Sequence, residues 1–170
     1  MSSSRDLEAE RLALLNKLRA SARPYRGGQA NDSYTGSMHP FFNVSVPELR
    51  RLAREWLADH RKGEAAVVLA MVDRLFEGES HEEKVLAALM LGASAQARRL
   101  AGPQEVDRWL GSLAGWAEID SLCASVFGPE EMAADWPAWE ALIRLLAASS
   151  DINRRRGGPG PADPALPHLD

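Results

Sequence analysis

The chain has 170 residues, of which 45% are apolar and 26% are charged, and its formal net charge is −4. This length and apolar content suffice for one domain with a hydrophobic core. The acidic balance argues against nucleic acid as a partner unless basic residues cluster on one face. The single cysteine, Cys123, excludes an intrachain disulfide framework, and its place on an apolar stripe predicts a small buried hydrophobe.

Helical periodicity runs through almost the whole chain, in which good helix formers such as Ala, Leu, Arg and Glu dominate. A first helix carries Leu7 and Leu18 and ends before Pro24, and a polar segment that contains glycine follows over residues 26–40. Further helices are predicted at about residues 46–57, 64–76, 81–91, 103–113, 116–127 and 136–146. Short links between helices of this length predict antiparallel neighbours. They favour a stacked α-α array, with a compact bundle as the alternative.

Three of these helices carry a sequence signal at their start. Ser45 with Glu48, and Ser80 with Glu83, have the spacing of a capping box, in which the serine is the N-cap and the glutamate reaches back to it. Asp135 is predicted to cap the helix over residues 136–146.

Hydropathy and histidine spacing bear on location and on cofactors. No stretch approaches the length of a membrane span, and residues 1–6 lack the apolar segment of a signal peptide. We therefore expect a cytoplasmic protein without membrane contact, and a monomer. His39, His60, His81 and His168 do not have the spacing of metal ligands. We expect loop or surface positions for them, and neither a metal nor another cofactor.

Trp116 and Asp120 stand four residues apart and therefore share one face of a helix. Ile119, Leu122 and Val126 belong to the apolar stripe of that helix, with Trp116 in its margin and Asp120 just outside it. A carboxylate there is expected at the lip of a cleft. Two interpretations are open: a core tryptophan beside an aspartate that interacts with the helix dipole, or a functional pair.

Four features in chain order carry a resemblance. The segment Tyr34-Thr35-Gly36-Ser37 precedes the helix start Pro47-Glu48-Leu49-Arg50, and Trp116 and Asp120 follow at their i,i+4 spacing. Asp151 is then a suitable N-cap for Ile152-Asn153-Arg154-Arg155-Arg156. Over about residues 34–156 the chain resembles the DNA alkylation repair enzymes, the HEAT-like-repeat alkylpurine DNA glycosylases.

The resemblance implies an all-α fold, an α-α superhelix of HEAT-like helical repeats with a basic concave face for duplex DNA. It implies excision of cationic N3- or N7-alkylated purines from that duplex without a deep base-flipping pocket. Trp116 and Asp120 match the family's active-site pair. Arg155 is the first candidate for a DNA phosphate contact, and Arg154 is the close alternative.

The chemistry of the two side chains suits this reaction. An alkylated purine that carries positive charge is a good leaving group, and loss of the base leaves positive charge on the sugar. A carboxylate at Asp120 would stabilise that charge and orient or deprotonate water. The electron-rich face of Trp116 favours a cation. Neither role requires a metal.

The end of the chain departs from the family pattern. We expect a helical-repeat domain over residues 1–156 and a disordered tail over residues 157–170, because glycine and proline at this density neither continue a helix nor build a core. The family continues with more helices, so we expect an incomplete groove, mobile arginines, weak salt-sensitive DNA binding and little turnover. The alternative function is a catalytically silent helical scaffold that binds DNA or a protein partner.

Overall fold

The computed structural model describes residues 4–24, 36–60 and 65–158, and this part of the chain is helical without a β-strand. Its ten helices are α1 (Ser4–Ala20), α2 (Val46–Asp59), α3 (Ala65–Phe76), α4 (His81–Ala93), α5 (Ala95–Leu100), α6 (Pro103–Leu110), α7 (Trp116–Val126), α8 (Pro129–Ala134), α9 (Trp136–Ala147) and α10 (Ile152–Arg156). The predicted all-α class is confirmed. None of the described helices has the length and apolar character needed to cross a membrane. Tyr34, His168 and the predicted tail beyond residue 158 lie outside the described residues.

The predicted helices are present, and those with predicted bounds agree with the observed ones to within three residues at each end. Helices α5 and α8 were not predicted, because six residues are fewer than two helical turns and show no period. Their start signals are the N-cap Ser94, whose side chain accepts the N–H of Ala97, and Pro129 in the first turn. Some helices that follow one another pack together, α3 on α4, α4 on α5, α8 on α9 and α9 on α10. Helices further apart in the chain also pack extensively, α2 on α4 and α4 on α7.

The capping predictions have different outcomes. At α4 the capping box is confirmed, because Ser80 Oγ accepts the N–H of Glu83 and the Glu83 carboxylate accepts the N–H of Ser80. At α2 the box is wrong: Ser45 makes no side-chain cap bond. The Glu48 carboxylate instead accepts Arg51 at 2.6 and 2.8 Å and the Ser21 hydroxyl at 3.2 Å.

The two aspartate caps also differ from each other. Asp135 precedes α9, but its side chain caps no N–H group, so its predicted cap is wrong. Its backbone angles, φ −147° and ψ 62°, differ from the extended N-cap conformation that aims a side chain at the helix. Asp151 is confirmed as the cap of α10, because its Oδ1 accepts the N–H of Asn153 at 2.8 Å.

Ser80, which caps α4, and Ser45, whose side chain caps nothing, provide a matched test of stability. Ser80→Ala should lower the free energy of unfolding by about 1 kcal/mol, because it removes a side-chain cap. Ser45→Ala removes no such bond and should change it by less than about 0.5 kcal/mol. Urea unfolding of the two variants measures the difference, and equal losses would contradict this account of the caps.

Helix α4 lies at the centre of the core, where it packs against α2, α3, α5 and α7. Three charged side chains on it, Glu82, Glu83 and Lys84, are buried and bound to backbone groups, Glu83 through the capping box. The Glu82 carboxylate accepts the N–H groups of Phe42 at 3.0 Å and Val44 at 3.2 Å, and the Lys84 ammonium donates to the carbonyl of Phe76. Burial lowers the pKa of Lys84. These bonds satisfy polar groups that would otherwise be buried without partners.

Candidate active site

The start of α7 is built from two glycines in contact. Gly115, the N-cap, has φ +82°, and Gly36 has φ +66°, a conformation that glycine adopts most readily. A Cβ atom on Gly36 would lie 3.4 Å from Gly115 Cα and 3.9 Å from Trp116 Cδ1. The segment that begins at Gly36 therefore lies directly against the first residue of α7.

Trp116 and Asp120 occupy the predicted positions on α7. Ile119, Leu122 and Val126 are buried, whereas Trp116 is half-buried and the Asp120 side chain is 45% exposed. The carboxylate thus lies at the edge of the apolar face, within reach of solvent.

Arg156 of α10 joins this pair. Its Nε and Nη2 atoms donate to the two oxygens of Asp120 at 2.7 and 2.8 Å, a bidentate ion pair. Its Cζ lies 5.8 Å from the centroid of the Trp116 ring, a distance typical of a cation–π contact. Hydrogen bonding to Asp120 raises the pKa of Arg156, so the guanidinium stays protonated.

The structure does not bring the two arginines selected from the sequence to Asp120. Arg154 forms an ion pair with Asp107 of α6. Arg155 Nη1 donates to the carbonyl oxygens of Ser149 at 2.6 Å and Ser150 at 2.9 Å. Sequence reasoning missed Arg156 because three consecutive arginines on a helix point about 100° apart, and only tertiary contacts show which one faces a given neighbour.

Gly157, the residue that follows α10, is held against the domain. A Cβ atom on Gly157 would lie 2.7 Å from Leu110 Cδ2, and the carbonyl oxygen of Gly157 accepts the Cys123 thiol at 3.4 Å. Burial, followed by the charge of Asp120, raises the pKa of Cys123 to about 12. Cys123 therefore packs as the predicted small hydrophobe. The single-turn helix α10 has tertiary contacts on both sides, where the sequence predicted a loosely held turn.

Glu118, in the first turn of α7, is the centre of a buried polar cluster. Its carboxylate accepts the Ser37 hydroxyl at 2.5 Å and the N–H of Ala114 at 2.9 Å. It also contacts Nδ1 of His39 at 3.0 Å and Nδ1 of His81 at 2.9 Å. We call Ser37, His39, His81 and Glu118 the Glu118 cluster. It joins the segment after residue 36 and the start of α4 to the start of α7.

The structure describes three of the four histidines, His39, His60 and His81. His39 and His81 are mostly buried against Glu118, and the His81 ring stacks on Phe41 at 4.2 Å. His60 stacks on Trp56 at 3.8 Å. His39 lies in the loop before α2 and His60 in the turn after it, as the expectation of loop or surface positions has it. The expectation is wrong for His81, which is the first residue of α4 and is mostly buried against Glu118. Among the described residues, no three His, Cys, Asp or Glu side chains are arranged to hold a metal ion.

The Glu118 cluster should make stability depend on pH. Burial by itself would raise the pKa of Glu118, but hydrogen bonds from His81, Ala114, Ser37 and His39 together lower it. A lowered folded-state pKa adds stability that is present above the unfolded value of about 4.3 and is lost as pH falls through the folded value. Glu118→Gln should therefore cost roughly 1.5–3 kcal/mol at pH 7, and the cost should shrink below about pH 4. Urea unfolding at pH 7, 5 and 3 checks this, and a cost independent of pH would contradict it.

A cleft of about 530 Å³ between α1 and the start of α4 lies apart from Asp120. Its basic side chains include Arg11 and Arg74, and both form ion pairs with Glu8. Arg11 also contacts Glu83 at 2.7 Å. The balance of charges does not favour an anionic ligand in this cleft.

The all-α fold agrees with the family that the sequence resembles. The family model described as "DNA alkylation repair enzyme" matches residues 14–158, a span that contains α7, α10 and the Glu118 cluster. The chain belongs to this family, and its role is in DNA repair. No curated protein and no solved structure gives a significant match to the chain.

Proposed function

We propose that the protein is a DNA glycosylase that hydrolyses the N-glycosidic bond of cationic N3- or N7-alkylated purines in duplex DNA. One observation carries the proposal: Asp120 and Trp116 already hold a planar, delocalised cation, the guanidinium of Arg156. A carboxylate and an electron-rich ring that bind such a cation also suit a cationic purine or the positive sugar formed when it leaves.

The reaction needs little from the protein besides charge and position. The glycosidic bond breaks with its electron pair moving to the base, which leaves as a neutral alkylpurine, and positive charge develops on the sugar. Water then adds to C1′ and loses a proton. Asp120 stabilises the positive charge and accepts that proton. Trp116 lines the same position, where its ring contacts the sugar or the base.

Arg156 must exchange partners for Asp120 to act. In the structure its guanidinium holds both carboxylate oxygens. A DNA phosphate is also a bidentate acceptor for arginine. A phosphate beside the lesion would therefore draw Arg156 away from Asp120 and free the carboxylate for the sugar.

The other two arginines of α10 have different charge environments. Arg154 is neutralised by Asp107. Arg155 is exposed, and within the described part of the chain its partners are carbonyl oxygens, with no carboxylate among them. Its positive charge is thus available to an outer phosphate, in line with its selection from the sequence.

The test is release of 7-methylguanine from a methylated DNA duplex. The protein is used in excess over DNA, so that a slow single turnover is measured against spontaneous loss of the base. We expect release above the spontaneous rate, and no release of guanine from an unmethylated duplex of the same sequence. Equal release with and without protein would exclude the glycosylase function for this chain.

A second candidate function is a helical scaffold without activity that binds DNA or a protein partner. It is favoured by the ion pairs of the arginines on α5, α6 and α9. Arg98 and Arg99 contact Glu131 and Glu130, Arg108 contacts Asp73, and Arg144 contacts Glu140. Such pairing weakens a continuous positive strip for DNA. Binding of methylated duplex without base release would support the scaffold.

A further inference from the structure

The Glu118 cluster lies beside the proposed active site without being part of it. Glu118 is two residues from both Trp116 and Asp120 in the sequence. Two residues correspond to a rotation of about 200° around a helix, so the buried Glu118 side chain and the exposed Asp120 carboxylate lie on opposite sides of α7. Glu118 can therefore affect the proposed active site only through the residues that it binds.

What Glu118 holds is the segment over residues 36–39. Ser37, 1% exposed, donates to Glu118 and accepts the N–H of His39 at 3.2 Å, while the His39 ring contacts the same carboxylate. These bonds fix the segment at two adjoining points. Gly36, the next residue toward the N-terminus, is thereby kept against Gly115 and the edge of the Trp116 ring.

We infer that Glu118 is a positioning residue for the proposed reaction: it holds residues 36–39 against the start of α7 and thereby fixes the ring of Trp116 beside Asp120. This inference rests on the proposed function. Trp116, as the first residue of α7, has no preceding helical turn to pack against. Gly36, at the start of the 36–39 segment, lies against the Cδ1 edge of the ring.

His81 connects this arrangement to the centre of the core. It is the first residue of α4, its N–H donates to the carbonyl of Pro40 at 3.0 Å, and its Nδ1 contacts Glu118. The groups that face the carboxylate are thus His39 from the segment, His81 from α4 and the N–H of Ala114, with the charge of Lys84 on α4 also acting on it. The Glu118 carboxylate thus fixes the 36–39 segment, the start of α4 and the start of α7 relative to one another.

A matched control is available in Glu82. It is also a buried carboxylate, and it binds the next part of the same segment through the N–H groups of Phe42 and Val44. Loss of either carboxylate should lower stability. Only loss of the Glu118 contacts should displace Gly36 from the edge of the Trp116 ring.

The experiment compares Ser37→Ala and Glu118→Gln with Glu82→Gln and the unchanged protein. Ser37→Ala is the milder change and keeps every charge. We expect both cluster variants to lower the single-turnover rate of 7-methylguanine release by roughly 10- to 100-fold, the effect of a small misplacement at a reacting centre. Their affinity for methylated duplex and the rate of Glu82→Gln should stay within about twofold of the unchanged protein. Normal rates in both cluster variants would overturn the inference.

A second readout does not need activity. The indole N–H signal of Trp116 in a ¹H–¹⁵N spectrum is identified by its loss in Trp116→Phe. Ser37→Ala should shift that signal, and Glu82→Gln should leave it in place. If the unchanged protein releases no base, the proposed function fails, and the signal then tests the structural part of the inference: a shift supports the hold of the Glu118 cluster on the Trp116 ring, and an unchanged signal overturns it.

Discussion

Asp120→Asn should reduce release of 7-methylguanine by at least roughly 10²-fold, because the variant loses the negative charge that Asp120 would place against the positive sugar. The fold should change little. The Asp120 and Arg156 side chains are both nearly half exposed, and ion pairs of that kind contribute about 0–1 kcal/mol. Single-turnover release and urea unfolding, measured on the same preparation, separate the two effects.

The control for this prediction is Asp107→Asn. Asp107 forms an ion pair with Arg154, two residues before Arg156 on the same short helix. Its loss removes one arginine–aspartate contact of α10 and leaves Trp116 and Asp120 unchanged. Equal losses of activity in the two variants would mean that Asp120 acts only by holding α10. Extensive unfolding of Asp120→Asn alone would likewise make it a structural residue.

Arg156→Ala should lower both DNA binding and the rate at saturating DNA. The variant loses one phosphate contact, so the slope of log affinity against log salt should fall by about 0.9. The rate should fall as well, because the Arg156 guanidinium next to Asp120 is then no longer present to fix the phosphate beside the lesion. Arg156→Lys should be intermediate, since lysine keeps the charge but not the bidentate geometry. Fluorescence anisotropy across a salt series, together with single-turnover release, measures both quantities.

Arg155→Ala is the comparison for this second prediction. Arg155 contacts carbonyl oxygens of residues 149 and 150 and lies outside the Asp120 pair. We expect a similar change in salt slope and a normal rate at saturating DNA. A faster rate for Arg156→Ala than for the unchanged protein would show that Arg156 only blocks Asp120, and would remove it from the phosphate role.

Features set by local spacing were predictable from the sequence. Trp116 and Asp120 share a face because helical periodicity requires it, and the box at Ser80 forms because all its bonds lie within four residues. The same pattern failed at Ser45, where Arg51 and Ser21 compete for Glu48. Local spacing does not reveal such competitors.

The parts of the site that depend on distant contacts were not predictable in this way. The partners of Glu118 are Ser37, His39 and His81, at sequence separations of 81, 79 and 37 residues. No periodic pattern links positions so far apart. The choice among the three arginines depends on the register of a five-residue helix against α6 and α7. Both features need the folded chain, because each follows from packing between helices and not from the sequence of one helix.

Cys123 has a consequence for a protein that works where electrophilic methylating agents damage DNA. Thiolates react with such agents, whereas thiols react far more slowly. Burial raises the pKa of Cys123 to about 12, so its sulfur is held almost entirely as the thiol at pH 7. The Cys123 sulfur lies about one helical turn from Asp120, yet almost none of it is in the nucleophilic thiolate form. Burial thus protects Cys123 itself from the electrophiles whose damage the family repairs.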